Sequence, residues 1–101
     1  MVSTSGFIEE IPKDEQAIIY CIATAKINQK TDFIIFDPEM DKTAKPQFED
    51  DGRSFHIPMN TIPKKVYVKL DDFGSKETLS ENVGHPVQTQ FLITFMLAEE
   101  Y

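Results

Sequence analysis

The sequence is poor in several residue types, and each shortage excludes a class of protein. A single cysteine, Cys21, leaves no partner for a disulfide within the chain, which is typical of a reducing compartment. No apolar run approaches the roughly 20 residues that a membrane-spanning helix needs. No basic segment followed by an apolar one resembles a secretory signal. We therefore expect a cytoplasmic protein with no membrane association.

Positive charge is also scarce. The chain has 10 Lys and Arg residues against 17 Asp and Glu, which gives a net charge of -7 and a sequence pI of about 4.7. Proteins that bind phosphate backbones concentrate Lys and Arg on their surface, so the balance argues against nucleic acid as a partner. The four glycines form neither a GxGxxG pattern nor a P-loop, and no cofactor is predicted.

What remains is ordinary for a globular domain. Hydrophobic residues make up 41% and charged residues 27% of the 101 residues, which indicates one domain over residues 1–101. Residues 1–5 are small and polar, and we expect them to fray. Residues 37–53 are acidic and have only Met40 and Phe48 as apolar anchors, so they predict a long surface loop.

The most apolar stretch is Val87–Leu97, VQTQFLITFML. Its alternate residues form one apolar side, and its β-branched and aromatic content favours a strand over a buried helix. Pro86 stands where such a strand begins. Because this strand is near the C-terminus, it could lie at a sheet edge, where pairing with a second copy would make a homo-oligomer.

Other segments predict shorter elements. Lys64–Leu70 alternates clearly and predicts a half-exposed strand, whereas Ser75–Asn82 predicts one helical turn capped by Ser75. Further short strands are predicted at Phe7–Ile11, Phe33–Phe36 and Ser54–Ile57.

Ala17–Ile27 has two interpretations. On a helical wheel, Glu15 and Lys26 interrupt the apolar stripe, so we favour a strand with both faces buried. The fold expected is therefore mainly β, a single-domain antiparallel sandwich or small barrel of about five to six strands. The alternative is an α+β domain in which Pro12–Asn28 is helical, since proline and two acids at the start and asparagine at the end are typical of helix boundaries.

Asp37, Glu39 and Asp41 are the candidate metal ligands, because carboxylates at every second position can converge on a hard cation. The pattern does not match an EF-hand. Lys42 stands where the loop glycine should be, and Phe48 stands where the bidentate glutamate should be. Solvated loop acids explain the pattern better, so no metal is predicted.

Cys21 with His56 or His85 has the residue types of a thiol nucleophile and its base. However, a cysteine in an inner strand is usually an inert apolar residue. His56 lies two residues from Ser54, without a third orienting group. No catalytic residue is predicted, and we expect a protein that is not an enzyme.

Two sets of residues are the candidates for binding a protein partner. One is acidic and lies in the long loop, and the other alternates base and aromatic along one strand face; they are Glu49, Asp50 and Asp51, and Lys65, Tyr67 and Lys69.

The function expected is a non-enzymatic protein-interaction module, a small acidic β-domain that binds an unidentified protein through an exposed sheet edge or the acidic loop. One alternative is an acidic mimic of nucleic acid that occupies a partner's basic cleft. The other is a small-molecule-binding barrel or small enzyme that uses an interior cavity.

Overall fold

The computed structural model describes residues 1–49 and 51–101, so Asp50, one of the predicted interaction residues, lies outside the described residues. The described residues form one six-stranded sheet in the order β1-β6-β5-β2-β4-β3, together with three α-helices. The elements in chain order are β1 Val2–Ser3, α1 Ser5–Glu10, α2 Lys13–Lys26, β2 Phe33–Asp37, β3 Gln47–Phe48, β4 Ser54–Pro58, β5 Val66–Asp72, α3 Lys76–Val83 and β6 Phe91–Leu97. A short 3-10 turn, Ala98–Glu100, follows β6.

The sheet is mixed and open. Strand β5 pairs antiparallel with both β2 and β6, whereas β2 runs parallel to β4 and β1 runs parallel to β6. The predicted antiparallel sandwich or closed barrel is therefore wrong, although the β-rich character and the strand number are in agreement. The error has one main source, the segment before β2.

Ala17–Ile27 is not a strand, because it belongs to helix α2, and the α+β alternative with a helical Pro12–Asn28 segment is confirmed. Asp14 and Glu15 lie in the first turn and Lys26 in the last, where each charge interacts favourably with the helix dipole. The two residues that interrupt the apolar stripe thus lie at the ends of the helix. There they do not need to be buried.

One side of α2 packs on the sheet. Ile19 and Ala23, four residues apart, are fully buried, whereas Ile18 remains 47% exposed. The ammonium of Lys26 lies 5.8 Å from the centre of the Phe55 ring, so this side chain covers the sheet margin with its charge in water.

Phe7–Ile11 is not an edge strand either. Most of it lies in α1, whose first turn is capped by Thr4, with the Thr4 Oγ1 accepting a hydrogen bond from the Phe7 N–H at 3.4 Å. Helical spacing places Phe7 and Ile11 together in the core. Residues 1–5, for which the sequence predicts fraying, instead contain β1 and the cap of α1.

Aromatic packing fixes both helices to the sheet. Phe7 of α1, Tyr20 of α2 and Phe95 of β6 lie with their ring centres 4.6 to 5.8 Å apart. The Tyr20 hydroxyl and the Ser3 hydroxyl share a hydrogen bond of 2.8 Å, so this partly buried tyrosine keeps its polar atom satisfied. The core therefore lies between α1, α2 and one face of the sheet.

Strand β6 begins at Phe91, four residues later than predicted. The chain before it makes local hydrogen bonds instead of a ladder: Ser80 Oγ accepts from the Val87 N–H, and Thr89 Oγ1 accepts from the Phe91 N–H. In the register with β1, only Thr94 and Phe95 of β6 are paired. The strand is thus second from the edge, with a very short neighbour.

The predicted helical turn is confirmed as α3. Ser75 Oγ accepts a hydrogen bond from the Thr78 N–H at 3.1 Å, and Gly84 ends the helix with φ of 81°. Leu79 is its buried residue, as predicted, and α3 packs against β6.

Candidate functional site

The strand register divides the sheet into a core face and an outer face. Residues paired directly across a sheet point to the same side. Ile34 pairs with Val68 and Phe55, and this side packs under α1 and α2. The opposite side, here called the outer face, includes Phe33, Ile35, Ser54, His56, Tyr67, Lys69, Asp71, Thr94 and Met96.

Three aromatic rings meet on the outer face. The ring centres of Phe33 and Tyr67 are 4.9 Å apart, and Tyr101 lies 5.6 Å from each of them. The interplanar angles of 63°, 88° and 78° are the edge-to-face geometry that aromatic pairs favour. We call these residues the aromatic cluster. Tyr101 is 73% exposed, so the cluster presents apolar ring surface to solvent.

The aromatic cluster lines a solvent-open groove of about 470 Å³. Charged side chains from β5 and from the loops that precede β2 and β4 form its rim; they are Asp32, Asp51, Arg53, Lys69 and Asp71. Six of its ten lining residues are charged or polar, so this is an open, mostly polar groove around the three rings and not the enclosed apolar pocket that is typical of a small-molecule site.

The cations of the rim are already paired. The Arg53 guanidinium donates to both carboxylate oxygens of Asp32, and these hydrogen bonds raise the pKa of Arg53. The Lys69 ammonium lies 3.3 Å from an Asp71 carboxylate oxygen and 5.9 Å from the centre of the Tyr101 ring. All of these contacts are near the surface, where an ion pair contributes little to stability.

Asp51 is bound to the turn that leads into β4. Its carboxylate accepts hydrogen bonds from the Ser54 N–H, the Arg53 N–H and the Ser54 hydroxyl, and these bonds lower its pKa. The Ser54 hydroxyl therefore donates to Asp51 and not to His56.

A second cluster lies at the other end of the outer face. His56 Nε2 is 2.8 Å from Asp37 Oδ2, and His56 Nδ1 is 2.5 Å from Glu49 Oε1. We call this pair of contacts the His56 clasp. It ties the end of the acidic loop, at Glu49, to the end of β2.

Asp37, the buried member of the His56 clasp, is held in its ionised form. Burial alone would raise its pKa, but hydrogen bonds from the Glu39 N–H and from His56 outweigh that effect. The Lys65 ammonium, 3.9 Å away, acts in the same direction. The pKa of Asp37 is therefore below its usual range.

Comparisons with protein-family models, with curated proteins and with solved structures gave no match. Within the described residues, no helix is long and apolar enough to span a membrane.

The candidate metal ligands do not converge. Asp37 faces His56, Glu39 is exposed, and the Asp41 carboxylate accepts hydrogen bonds from the Thr43 N–H and hydroxyl. Across residues 1–49 and 51–101, no group of three or more His, Cys, Asp or Glu side chains is arranged to hold a metal ion.

The thiol and imidazole candidates are also apart. The predicted burial of Cys21 is wrong, because the helix places this residue on its exposed side. Cys21 belongs to α2, which covers the core face, whereas His56 points to the outer face. His85 is exposed and bonds to the carbonyl oxygen of the next residue, Pro86. Cys21 therefore forms a catalytic pair with neither His56 nor His85.

The predicted interaction residues divide between the two clusters. Tyr67, Lys69 and Asp51 line the groove, whereas Lys65 and Glu49 belong to the His56 clasp and its surroundings. The strict alternation of β5 placed Tyr67 and Lys69 on the outer side correctly. The fold therefore groups these residues differently from the sequence analysis, because each cluster contains members of both predicted sets.

Seven residues of the groove were missed, namely Asp32, Phe33, Arg53, Ser54, Leu70, Asp71 and Tyr101. The run of four apolar residues from Phe33 gives no sign of which side faces out. The β2–β5 register, which pairs Phe33 with Lys69, supplies that information. The only sign in the sequence that Phe33 belongs to a site was an aromatic side chain at one of the alternating positions of a strand.

Proposed function

We propose that this chain is a non-enzymatic protein-interaction module that binds its partner in the groove on the outer face. The observation that carries the proposal is the aromatic cluster, three rings in mutual contact with one of them largely exposed to solvent. Tyrosine, phenylalanine and arginine are enriched in protein interfaces, because they combine a large contact area with polar groups.

The groove is a better binding site than the sheet edge. Beside β1, only Phe91–Ile93 of β6 precede the paired residues, so an added strand would gain few main-chain hydrogen bonds there. At the other edge, β3 has only two residues, Gln47–Phe48. Strand addition depends on a longer run of free backbone groups.

The acidic loop supports the groove without forming a separate site. The carboxylates of Glu49 and Asp51 are both engaged within the chain, one in the His56 clasp and one in the turn before β4. Asp51 reaches the groove as part of its rim. We therefore place the acidic loop at the border of the proposed interface.

The other function classes have less support. An interior ligand cavity requires a closed barrel, and this sheet is open. Three of the carboxylates that an acidic mimic would use, those of Asp41, Asp51 and Glu100, accept hydrogen bonds from their own chain. Both ring nitrogens of His56 contact carboxylates of this chain, so a substrate would have to displace one of them before His56 could transfer a proton to it.

The test is affinity capture from the native cell with the wild-type protein and two variants. Tyr101→Ser removes the most exposed ring of the aromatic cluster. Phe48→Ser is the matched control, since Phe48 is 53% exposed and lies on β3, outside the groove. Circular dichroism verifies that both variants are folded.

We expect one protein to be retained by the wild type and by Phe48→Ser and to be depleted at least about tenfold with Tyr101→Ser, the loss typical of an interface hot spot. If Tyr101→Ser retained the partner as well as the wild type does, the groove would not be the binding site. Substrate turnover by the purified chain would contradict its non-enzymatic character.

A further inference from the structure

We infer that the groove recognises a basic side chain, arginine or lysine, on an exposed segment of a partner protein. This inference rests on the proposed function and names the chemistry of the ligand. It draws on two observations, the charge of the rim and the geometry of Lys69.

The rim is net acidic. Its carboxylates belong to Asp32, Asp51 and Asp71, whereas its cations are Arg53 and Lys69 alone. A phosphate group entering the groove would meet these carboxylates, and the whole chain carries a net charge of -7. A cationic segment has the opposite charge and would be steered toward this face.

Lys69 shows what the groove can hold. Its ammonium lies near the face of the Tyr101 ring and beside the Asp71 carboxylate, at 5.9 and 3.3 Å. An aromatic face with a carboxylate is the environment that attracts an ammonium or guanidinium group. We therefore assign Lys69 as an internal occupant of the position that an incoming basic side chain would take.

Displacement of Lys69 requires little energy, because its side chain is about one third exposed and its partner Asp71 is 42% exposed. The released ammonium would remain in water on its long flexible stem. Arginine should bind better than lysine, because a planar guanidinium stacks on the rings and can bond to a carboxylate through two N–H groups.

The experiment measures fluorescence anisotropy of labelled probes with the purified full chain. The probes are a short peptide alternating arginine and glycine, the same peptide with citrulline in place of arginine, and a single-stranded DNA oligonucleotide. Citrulline keeps the shape of arginine without its charge. Binding of the arginine peptide, with at least about tenfold weaker binding of the citrulline peptide, is the expected result.

One pair of variants should give effects of opposite sign, and a second pair serves as controls. Asp71→Asn should weaken arginine-peptide binding about threefold to tenfold, and Lys69→Met should strengthen it about threefold, because the internal competitor is gone. Glu81→Gln and Lys76→Met are the controls, since they change the net charge equally on the exposed side of α3. Neither control should change the affinity by more than about twofold.

Three outcomes would overturn the inference: equal binding of the arginine and citrulline peptides, no binding of the arginine peptide by protein that is folded, or binding of the DNA that Lys69→Met weakens. The last result would make Lys69 a phosphate ligand. Failure of the inference can be separated from failure of the proposed function. If capture of a partner depends on Tyr101 but the arginine peptide does not displace that partner, the proposed function stands and only the inference of a basic ligand is refuted.

Discussion

Two neighbouring isoleucines of α2 provide a sharp test of the fold. Ile19 is fully buried, whereas Ile18 is 47% exposed, although the two residues are adjacent in the chain. Replacing Ile19 with alanine removes three carbon atoms from the core. At about 0.8 kcal/mol for each buried methylene, and with a cavity left behind, we expect a loss of about 3 kcal/mol in the free energy of unfolding.

The same change at Ile18 should have a much smaller effect. About half of its transfer term is lost, roughly 1 kcal/mol, and alanine recovers a few tenths of a kcal/mol through its higher helix propensity. We expect a net loss of about 0.5 kcal/mol. The two variants should therefore differ by about 2.5 kcal/mol, a large part of the stability of a domain of this size.

Urea unfolding followed by circular dichroism gives the comparison. We expect the midpoint to fall strongly for Ile19→Ala and slightly for Ile18→Ala, with the same dependence on urea for both, which would show that only stability has changed. In the strand interpretation of Ala17–Ile27, both residues would be buried on opposite faces. Equal losses for the two variants would therefore refute the docking of α2 described above.

Three further predictions concern other contacts. The pKa of Asp37 is lowered, so its ionised form stabilises the fold at pH values above the usual aspartate pKa, and this contribution is lost as the pH falls through the lowered pKa. Asp37→Asn should therefore make the free energy of unfolding less dependent on pH in the acid range. An unchanged pH dependence would contradict the role of the carboxylate. Gly6→Ala would place a Cβ 2.7 Å from the Glu100 carboxyl group, which can move aside only by giving up its hydrogen bonds with Thr4 Oγ1 and the Leu97 N–H. The melting temperature should therefore fall, although alanine usually stabilises a helix, and in a Glu100→Ala background the same change should raise it. Cys21 should react with a thiol reagent as fast in the native protein as in urea, since it is exposed. A much slower reaction in the native protein would show that Cys21 is buried.

Part of this fold could be predicted from local patterns. In β5 the alternation is strict, so Val66 and Val68 could be assigned to the core and Tyr67 to the outer side from the sequence. The cap of α3 could be predicted for a similar reason, since Ser75 supplies a local hydrogen bond. In both cases the interaction that decides the structure lies within a few residues of the chain.

The rest depends on contacts between distant segments. Whether Ala17–Ile27 forms a helix or a strand is decided by the packing of Ile19 and Ala23 on the sheet, which local propensity does not determine. The groove is similar. Phe33 and Tyr67 meet because of the register of β2 with β5, and Tyr101 joins them only after the chain has turned past β6.

The short strand β1 has a consequence for how this domain aggregates. It is held to β6 by the pairs at Thr94 and Phe95 and by the hydrogen bond from the Thr4 N–H to the Phe95 carbonyl, contacts that join segments about 90 residues apart. Such a small unit opens more readily than the rest of the sheet. Its opening would leave the whole edge of Phe91–Leu97 without a neighbouring strand, and this apolar strand is suited to pairing with another molecule. The tendency of this protein to aggregate should then follow the local stability of its first few residues more closely than the stability of the whole domain.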